Sequence, residues 1–362
     1  MRKLARIAAA AAALCLLAGC GFKDIDKRFF VIMVGVDKGK SKAYEVSLKL
    51  AIPSPKMEPG EAKFQLVSQE ADSITEAIRL MKSKVDKEFD FGHTKLLIIG
   101  KPYARGDMSH SLDWLFRRRD IQQISYLALG DPDAKSILEV KPPSERLPGN
   151  ALMLSMTDEG TESPYIVPVY LYDYYRRIKS RSEDAYLPVV KAAKDTYEID
   201  RVAILRGTRT RLELSPPETA IFNQLIRQYS RFSLKGRADG GNLHLNVESF
   251  SRSFKIITPP EGSPVIRMRI SVDGEVEESD TPIFNRKWDK IERDMESRIS
   301  EETAALLEKL RDAGTDPVGF GLRYRAEHHD PAGEWAEWQK LYPRVRFEVT
   351  AKVNIRGSGI IR

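Results

Sequence analysis

Apolar residues fill positions 29–36 (FFVIMVGV) and stop at Asp37-Lys38-Gly39, a turn signal. Tyr44, Val46, Leu48 and Leu50 then alternate with Glu45, Ser47 and Lys49, the period of a half-buried strand. Together these predict a hairpin, closed off by Pro53 and Pro55. At Ser73 the period changes. Ser73 and Glu76 form a capping-box pattern, and Ile74, Ala77, Ile78, Met81 and Val85 recur at spacings of three and four, so a helix is predicted over 73–88. Residues 94–100 (TKLLIIG) read as a buried strand, 107–119 as a second helix and 124–129 as a further strand. Asp131-Pro132 supplies a cap and first-turn pair for a short helix ending at Leu138.

Proline, glycine and serine concentrate in 141–168, which reads as a connector. After it, 169–179 (VYLYDYYRRIK) predicts a helix whose Tyr170, Tyr174 and Ile178 share a core-facing side, and 186–190 and 203–206 predict strands of a small middle sheet. Ser215-Pro216-Pro217-Glu218 is another capping box with proline in the first turn. Leu243, Leu245 and Val247, and later Ile266, Met268, Ile270 and Val272, alternate with polar residues, as strands of an antiparallel sheet with one wet face do. A long helix is predicted over 282–313, striped by Phe284, Trp288, Ile291, Met295, Ile299, Leu306 and Leu310. The stripe is expected to cover the sheet, completed by a last strand with Phe347, Val349, Ala351, Val353 and Ile355 on one face. Strands and helices mix without strict alternation. The predicted class is α+β, in two to three mixed α/β domains, each a mainly antiparallel sheet packed with helices. The expected divisions are 20–145 for an N-terminal lobe, 146–214 for a middle lobe and 215–362 for a C-terminal domain.

The first twenty residues follow another pattern. Arg2, Lys3 and Arg6 precede an apolar run over 7–17, the layout of a secretory signal. Eleven residues rise only about 16 Å as a helix, short of the roughly 30 Å of bilayer hydrocarbon. Leu17-Ala18-Gly19-Cys20 resembles the bacterial lipobox, so residues 1–19 are expected to leave and Cys20 to carry S-diacylglycerol with an N-terminal acyl chain. Two or more chains, at roughly 0.8 kcal/mol per buried methylene, hold a protein at a membrane where one chain is marginal. The only other cysteine, Cys15, goes with the leader, leaving no pair for a disulfide. Losing three cations lowers the formal charge from +6 to +3, which is no nucleic-acid-binding balance. Composition is that of a soluble body, 42% hydrophobic and 30% charged.

Candidate chemistry is sparse. The chain has no G-x-S-x-G, H-E-x-x-H or P-loop pattern, and Gly319-Phe320-Gly321 lacks the third glycine and preceding strand of a dinucleotide fingerprint. His328-His329-Asp330 could suggest a metal, but adjacent side chains share no face, so a solvated loop is expected. No catalytic residue, metal ligand or cofactor is predicted. Arg117-Arg118-Arg119 stands at a helix C-terminus, where cations complement the dipole; the alternative is contact with anionic lipid or an acidic partner.

Several blocks in order carry a resemblance. The lipobox, DIDKRFFVIMVGVDK, YEVSLKLAIPSP, ADSITEAIRLMKSKVDKEFDFGHTKLLIIG and LDWLFRRRDIQQISYLALG are similar to the N-terminal half of the Ger(x)C family. These are the lipoprotein C subunits of nutrient germinant receptors in endospore-forming bacteria. DPVGFGLRYRAEHHDPAGEWAEWQKLYPRVRFEVTAKVNIRGSGII resembles the family's closing block, with its D-x-x-G-F-G element. Gly21-Phe22-Lys23-Asp24 departs from the Trp-Asp usual after the lipidated cysteine, and 229–241 match weakly. The resemblance implies three mixed α/β domains without an active site, with 20–214 as the family's N-terminal half. It implies a tether through Cys20 to the outer leaflet of the spore inner membrane, beside the membrane subunits A and B. The small-molecule germinant is not expected to bind this subunit directly. An extracytoplasmic solute-binding lipoprotein of a transport system is the alternative, and a membrane-anchored hydrolase a third class. The end at Arg117–Arg119 and a loop over 319–325 are candidate contact surfaces.

Overall fold

A computed structural model describes residues 2, 27–52, 64–144, 147, 149–157, 162–180, 182–228, 232–238, 241–259, 261–280, 288–328 and 333–357. Cys20, the predicted leader apart from Arg2, Phe284 and His329 lie outside the described residues. The first half runs β1 (Arg28–Lys38), β2 (Tyr44–Ala51), β3 (Phe64–Ala71), α1 (Ile74–Lys82), β4 (Glu88–Asp90), β5 (Leu96–Gly100), α2 (Lys101–Ala104), α3 (Ser109–Arg117), β6 (Tyr126–Asp131), α4 (Ala134–Glu139), α5 (Asn150–Ser155) and α6 (Leu171–Ser180). Then follow β7 (Tyr186–Ala193), β8 (Thr196–Arg206), β9 (Arg209–Leu214) and α7 (Pro216–Arg227). The second half holds β10 (Ser233–Ala238), β11 (Gly241–Ile257), β12 (Val265–Ser279), α8 (Trp288–Asp312), α9 (Phe320–Glu327), α10 (Glu334–Leu341) and β13 (Arg346–Ile355).

The strands make two sheets. The larger has the order β3-β2-β1-β5-β6-β7-β8-β9, with β4 also on β1. It is mixed rather than mainly antiparallel, because β1, β4, β5, β6 and β7 run parallel while β2, β3, β8 and β9 oppose their neighbours. Parallel strands need crossovers, which α1 to α6 supply. Those helices lie on both faces: Leu97, Ile99, Leu127 and Leu129 join the core with α1, α3 and α6, while Ile98 and Ala128 join the cluster of α4 and α5. The strands predicted near 186–190 and 203–206 form, but they extend this sheet instead of building a middle one, since β7 pairs with β6 along Leu129–Val189. Likewise the polar side of β2 is not wet. Lys49 is fully buried with Nζ 2.8 Å from the Val140 carbonyl, and Ser47 meets Ser68 at 2.8 Å.

Local signals explain most element ends. Ser73 Oγ accepts from Glu76 N at 3.2 Å and starts α1 as expected. The helix stops at Lys82, six residues short of the predicted end, because 88–90 pair with 28–30 as β4. Asp133, one residue past the predicted Asp131-Pro132 pair, caps α4 by accepting from Ser136 N at 2.7 Å. Asp131 stays at the strand end, bonded by Lys101 Nζ at 2.8 Å.

The smaller sheet has the order β10-β11-β12-β13. β10, β11 and β12 are antiparallel, whereas β13 returns parallel to β12 through the crossover of α8, α9 and α10. The α8 stripe, Ile291, Met295, Ile299, Leu306 and Leu310, is buried, and Glu296 and Glu292 accept from the backbone N–H of Val353 and Ile355 on edge strand β13. One hydrophobic core continues from Val31 in the larger sheet to Val353 in the smaller.

Candidate functional site: the joint between the sheets

The two halves meet where the turn after α8 reaches the start of β7. Gly314 bends the chain with φ of +70°, and Thr315 N returns to Leu310 O at 3.0 Å. The carboxylate of Asp316 then accepts from Gly319 N and Phe320 N at 3.0 Å each on Oδ1, and from Gly321 N at 2.6 Å on Oδ2. It neutralises the unpaired donors at the α9 N-terminus. Gly319 sits at φ +85°, and a Cβ on Gly321 would lie 2.6 Å from Trp338 Nε1 and 2.8 Å from Ser182 O, so both glycines of the D-x-x-G-F-G element have a steric reason.

Asp316 also binds the other half. Asp184 N donates to Asp316 O at 2.9 Å, and Asp316 N donates to Asp184 Oδ2 at 2.8 Å. Arg177 of α6 packs over this exchange. It reaches Pro317 O at 3.2 Å, pairs with Glu183 Oε2 at 2.9 Å and Asp173 at 3.2 Å, and lies 4.5 Å above the Tyr186 ring. Arg325 of α9 donates to Ser182 Oγ. Behind Asp316, Tyr324, Trp338 and Tyr342 stack with centroids 5.0 and 5.4 Å apart, and Tyr342 Oη donates to Thr315 O at 2.8 Å. A cavity of about 330 Å³ remains, lined by Asp184, Arg206, Trp335, Trp338, Gln339 and Tyr342 among others.

Burial pushes the Asp316 carboxyl up to about 7, against the three backbone N–H groups that favour its charge; the nearby Asp184 adds to the rise. Asp184 is raised as well, again mainly by burial. Asp37 repeats the motif at α4, where burial takes it to about 6 although Ala134 N and Lys135 N donate to it at 2.8 and 2.9 Å. These carboxylates are consumed by backbone donors. The arrangement joins two sheets, and no nucleophile stands beside a base in it.

The Gly319–Arg325 segment is therefore a helical turn seated on Asp316, and not the loop expected. Arg117 pairs with Asp113 at 2.6 Å; Arg118 meets Asp120 and lies 4.3 Å over Phe91; Arg119 is exposed. His328 stacks on Tyr324 at 4.0 Å, with Nδ1 2.8 Å from its carbonyl. Among the described residues no group of three His, Cys, Asp or Glu has metal-binding geometry. Sequence reasoning missed Asp184 and Arg177, and saw Asp316 only as the first residue of the D-x-x-G-F-G pattern. The available signal was Arg177 itself, a cation three residues after Tyr174 on the apolar face of α6.

Comparison with known proteins agrees with this architecture. Residues 21–192 match the model of the spore germination protein N-terminal domain, and 200–359 match that of the spore germination B3/GerAC-like C-terminal domain. The chain is 21% identical to spore germination protein GerQC of Bacillus cereus over 311 residues, covering 83% of this chain and 84% of that one. It is 21% identical to spore germination protein KC of Bacillus subtilis over 387 residues, covering 95% and 93%. The crystal structure of the GerBC protein superposes with a TM-score of 0.58 at 16% identity, over 88% of this chain and 96% of that one. The two matched models span nearly the whole chain in order, and the chain belongs to the Ger(x)C family of spore germination proteins.

Proposed function

We propose that the protein is the lipid-anchored, non-catalytic C subunit of a nutrient germinant receptor, required for nutrient-triggered spore germination. The observation that carries this is the pair of family matches in order over 21–192 and 200–359, directly following the lipobox cysteine. Cys20 is the attachment point, and the body works on the outer leaflet of the spore inner membrane beside the A and B membrane subunits. No helix among the described residues is long and apolar enough to cross a membrane. A tether confines the body to a thin layer and raises its effective concentration towards membrane partners without any new contact. The test is mass spectrometry of the mature protein together with a Cys20→Ala strain. Diacylglycerol on Cys20, and loss of both membrane retention and nutrient germination in the variant, are expected. An unmodified N-terminus, or normal germination by a variant that stays on the membrane, would overturn the proposal.

A further inference from the structure

The parallel register points the beginnings of β1, β4, β5 and β6 towards the same end of the larger sheet, β1 and β4 starting level at Arg28 and Glu88, and β5 and β6 starting five residues further along, where Met33 pairs with Leu96 and Leu96 with Tyr126. The turns entering those strands gather there, and they are rich in cations. Segments 27–28, 82–95 and 117–124 hold nine Lys or Arg against four Asp or Glu, an excess larger than that of the whole mature chain. Lys27, Arg28 and Arg119 line one open depression of about 810 Å³ together with Glu88, Asp90 and Asp120, so the excess of cations lies around the depression and not within it. Arg119 is exposed at its rim, and Lys87 sits 5.6 Å over the Phe29 ring nearby. Apolar side chains stand beside this charge. Ile124 is 61% exposed and Tyr172 50% exposed, and Tyr172 N bonds Gln123 O at 3.0 Å.

Where the chain enters decides what this end meets. Cys20 precedes Lys27 by seven residues, a reach of at most about 25 Å when fully extended. The opposite end of β1, at Lys38, lies about 33 Å away along the strand. We infer that the strand-entry end of the larger sheet is a membrane-docking face, whose cations meet anionic lipid headgroups while Ile124 and Tyr172 enter the interfacial layer. The assignment of a bilayer rests on the acyl-anchor reading of Cys20. Cations near an anionic leaflet contribute roughly 1 kcal/mol each, and tyrosine favours the water–hydrocarbon boundary.

Two measurements test it. The mature chain carrying Cys20→Ala, which has no lipid of its own, is sedimented with vesicles of phosphatidylcholine alone or mixed equally with phosphatidylglycerol. Binding to the anionic vesicles only, weakening as salt is raised, is expected. Replacing Lys87, Lys95 and Arg119 by Ala should cut that partition by on the order of a hundredfold, at about fivefold per charge. Replacing Lys38, Lys40 and Lys42 at the far turn should change it little. Equal losses from the two triple variants, or no preference for anionic vesicles, would overturn the face and leave the surface to a protein partner. In the acylated protein, dyes on Ile124→Cys and Lys40→Cys report distance to a labelled lipid; the first should transfer energy more efficiently, and equal transfer would refute the orientation. Failure of acylation itself appears separately, as an unmodified N-terminus, and leaves the vesicle result standing.

Discussion

The two sheets reach a buried core by different routes. In the larger sheet every residue of β5 is buried, and β6 is buried from Tyr126 to Gly130, because helices cover both faces. In the smaller sheet β12 alternates buried and exposed positions along most of its length, and α8 lies over one face. A strand covered twice has no tolerant side, whereas a strand covered once has a side that takes almost any polar residue. The largest predicted effect follows. Leu127→Ala in β6 removes a fully buried side chain from the main hydrophobic core, and should cost about 3–4 kcal/mol in urea unfolding. Arg269→Ala on the wet face of β12 should stay within about 0.5 kcal/mol. Comparable costs at the two positions would break the distinction.

The same difference governs how much could be read from sequence. β11 and β12 were legible through Leu243, Leu245 and Val247 and through Ile266, Met268, Ile270 and Val272, because a one-sided strand writes its orientation into a period of two. The larger sheet gave up β1, β2, β5, β6, β7 and the end of β8, but not β3, β4, β9 or its topology. LLIIG is as consistent with a parallel neighbour as with an antiparallel one, and β4 is three residues that begin where the predicted helix ends. Lys49 shows the limit clearly: alternation places it in water, yet it is fully buried, with its ammonium on the Val140 carbonyl and 4.2 Å over the Phe64 ring. The joint was half visible. D-x-x-G-F-G was noticed as a pattern, but its purpose depends on Asp184, 132 residues upstream, and no local signal pairs the two.

The joint is the next place to press on the comparison. Asp184→Ala removes the carboxylate that accepts from Asp316 N and leaves that buried donor unpaired, a loss of about 2 kcal/mol. Because this bond links the halves, the variant should also separate their unfolding. Circular dichroism and tryptophan fluorescence, the latter confined to Trp288, Trp335 and Trp338 of the second half by a Trp114→Phe background, should give coincident urea transitions for that parent chain and displaced ones when Asp184→Ala is added. Coincident transitions in both would mean that the continuous hydrophobic core, and not the Asp184–Asp316 exchange, holds the halves together.

A smaller effect has a defined sign. Asp316 has a folded pKa of about 7, above the ordinary aspartate value of about 4 in the unfolded chain. Between those values the folded state retains a proton that the unfolded state has released. The stability this group contributes is therefore complete below pH of about 4 and declines as pH rises through about 7. Asp37, at about 6, acts in the same direction over a narrower window. Urea midpoints should fall between pH 5 and pH 8, and Asp316→Asn should flatten that decline while lowering both midpoints, since its amide opposes the Gly321 N–H. An unchanged slope in the variant would remove Asp316 from the account.

The smallest predicted change isolates what a cap contributes when nothing else depends on it. Ser73 and Asp316 both stand ahead of a helix and accept from its first N–H groups, but Ser73 is exposed at the start of α1 and holds a single bond to Glu76 N. Water can replace that oxygen in Ser73→Ala, so the expected cost is about 1 kcal/mol with no displacement between the two probes and no change in pH slope. Asp316 is enclosed, serves three donors and carries the link to β7, so its replacement must alter slope as well as midpoint. If Ser73→Ala reproduced the pH behaviour of Asp316→Asn, burial would not be what sets the two caps apart.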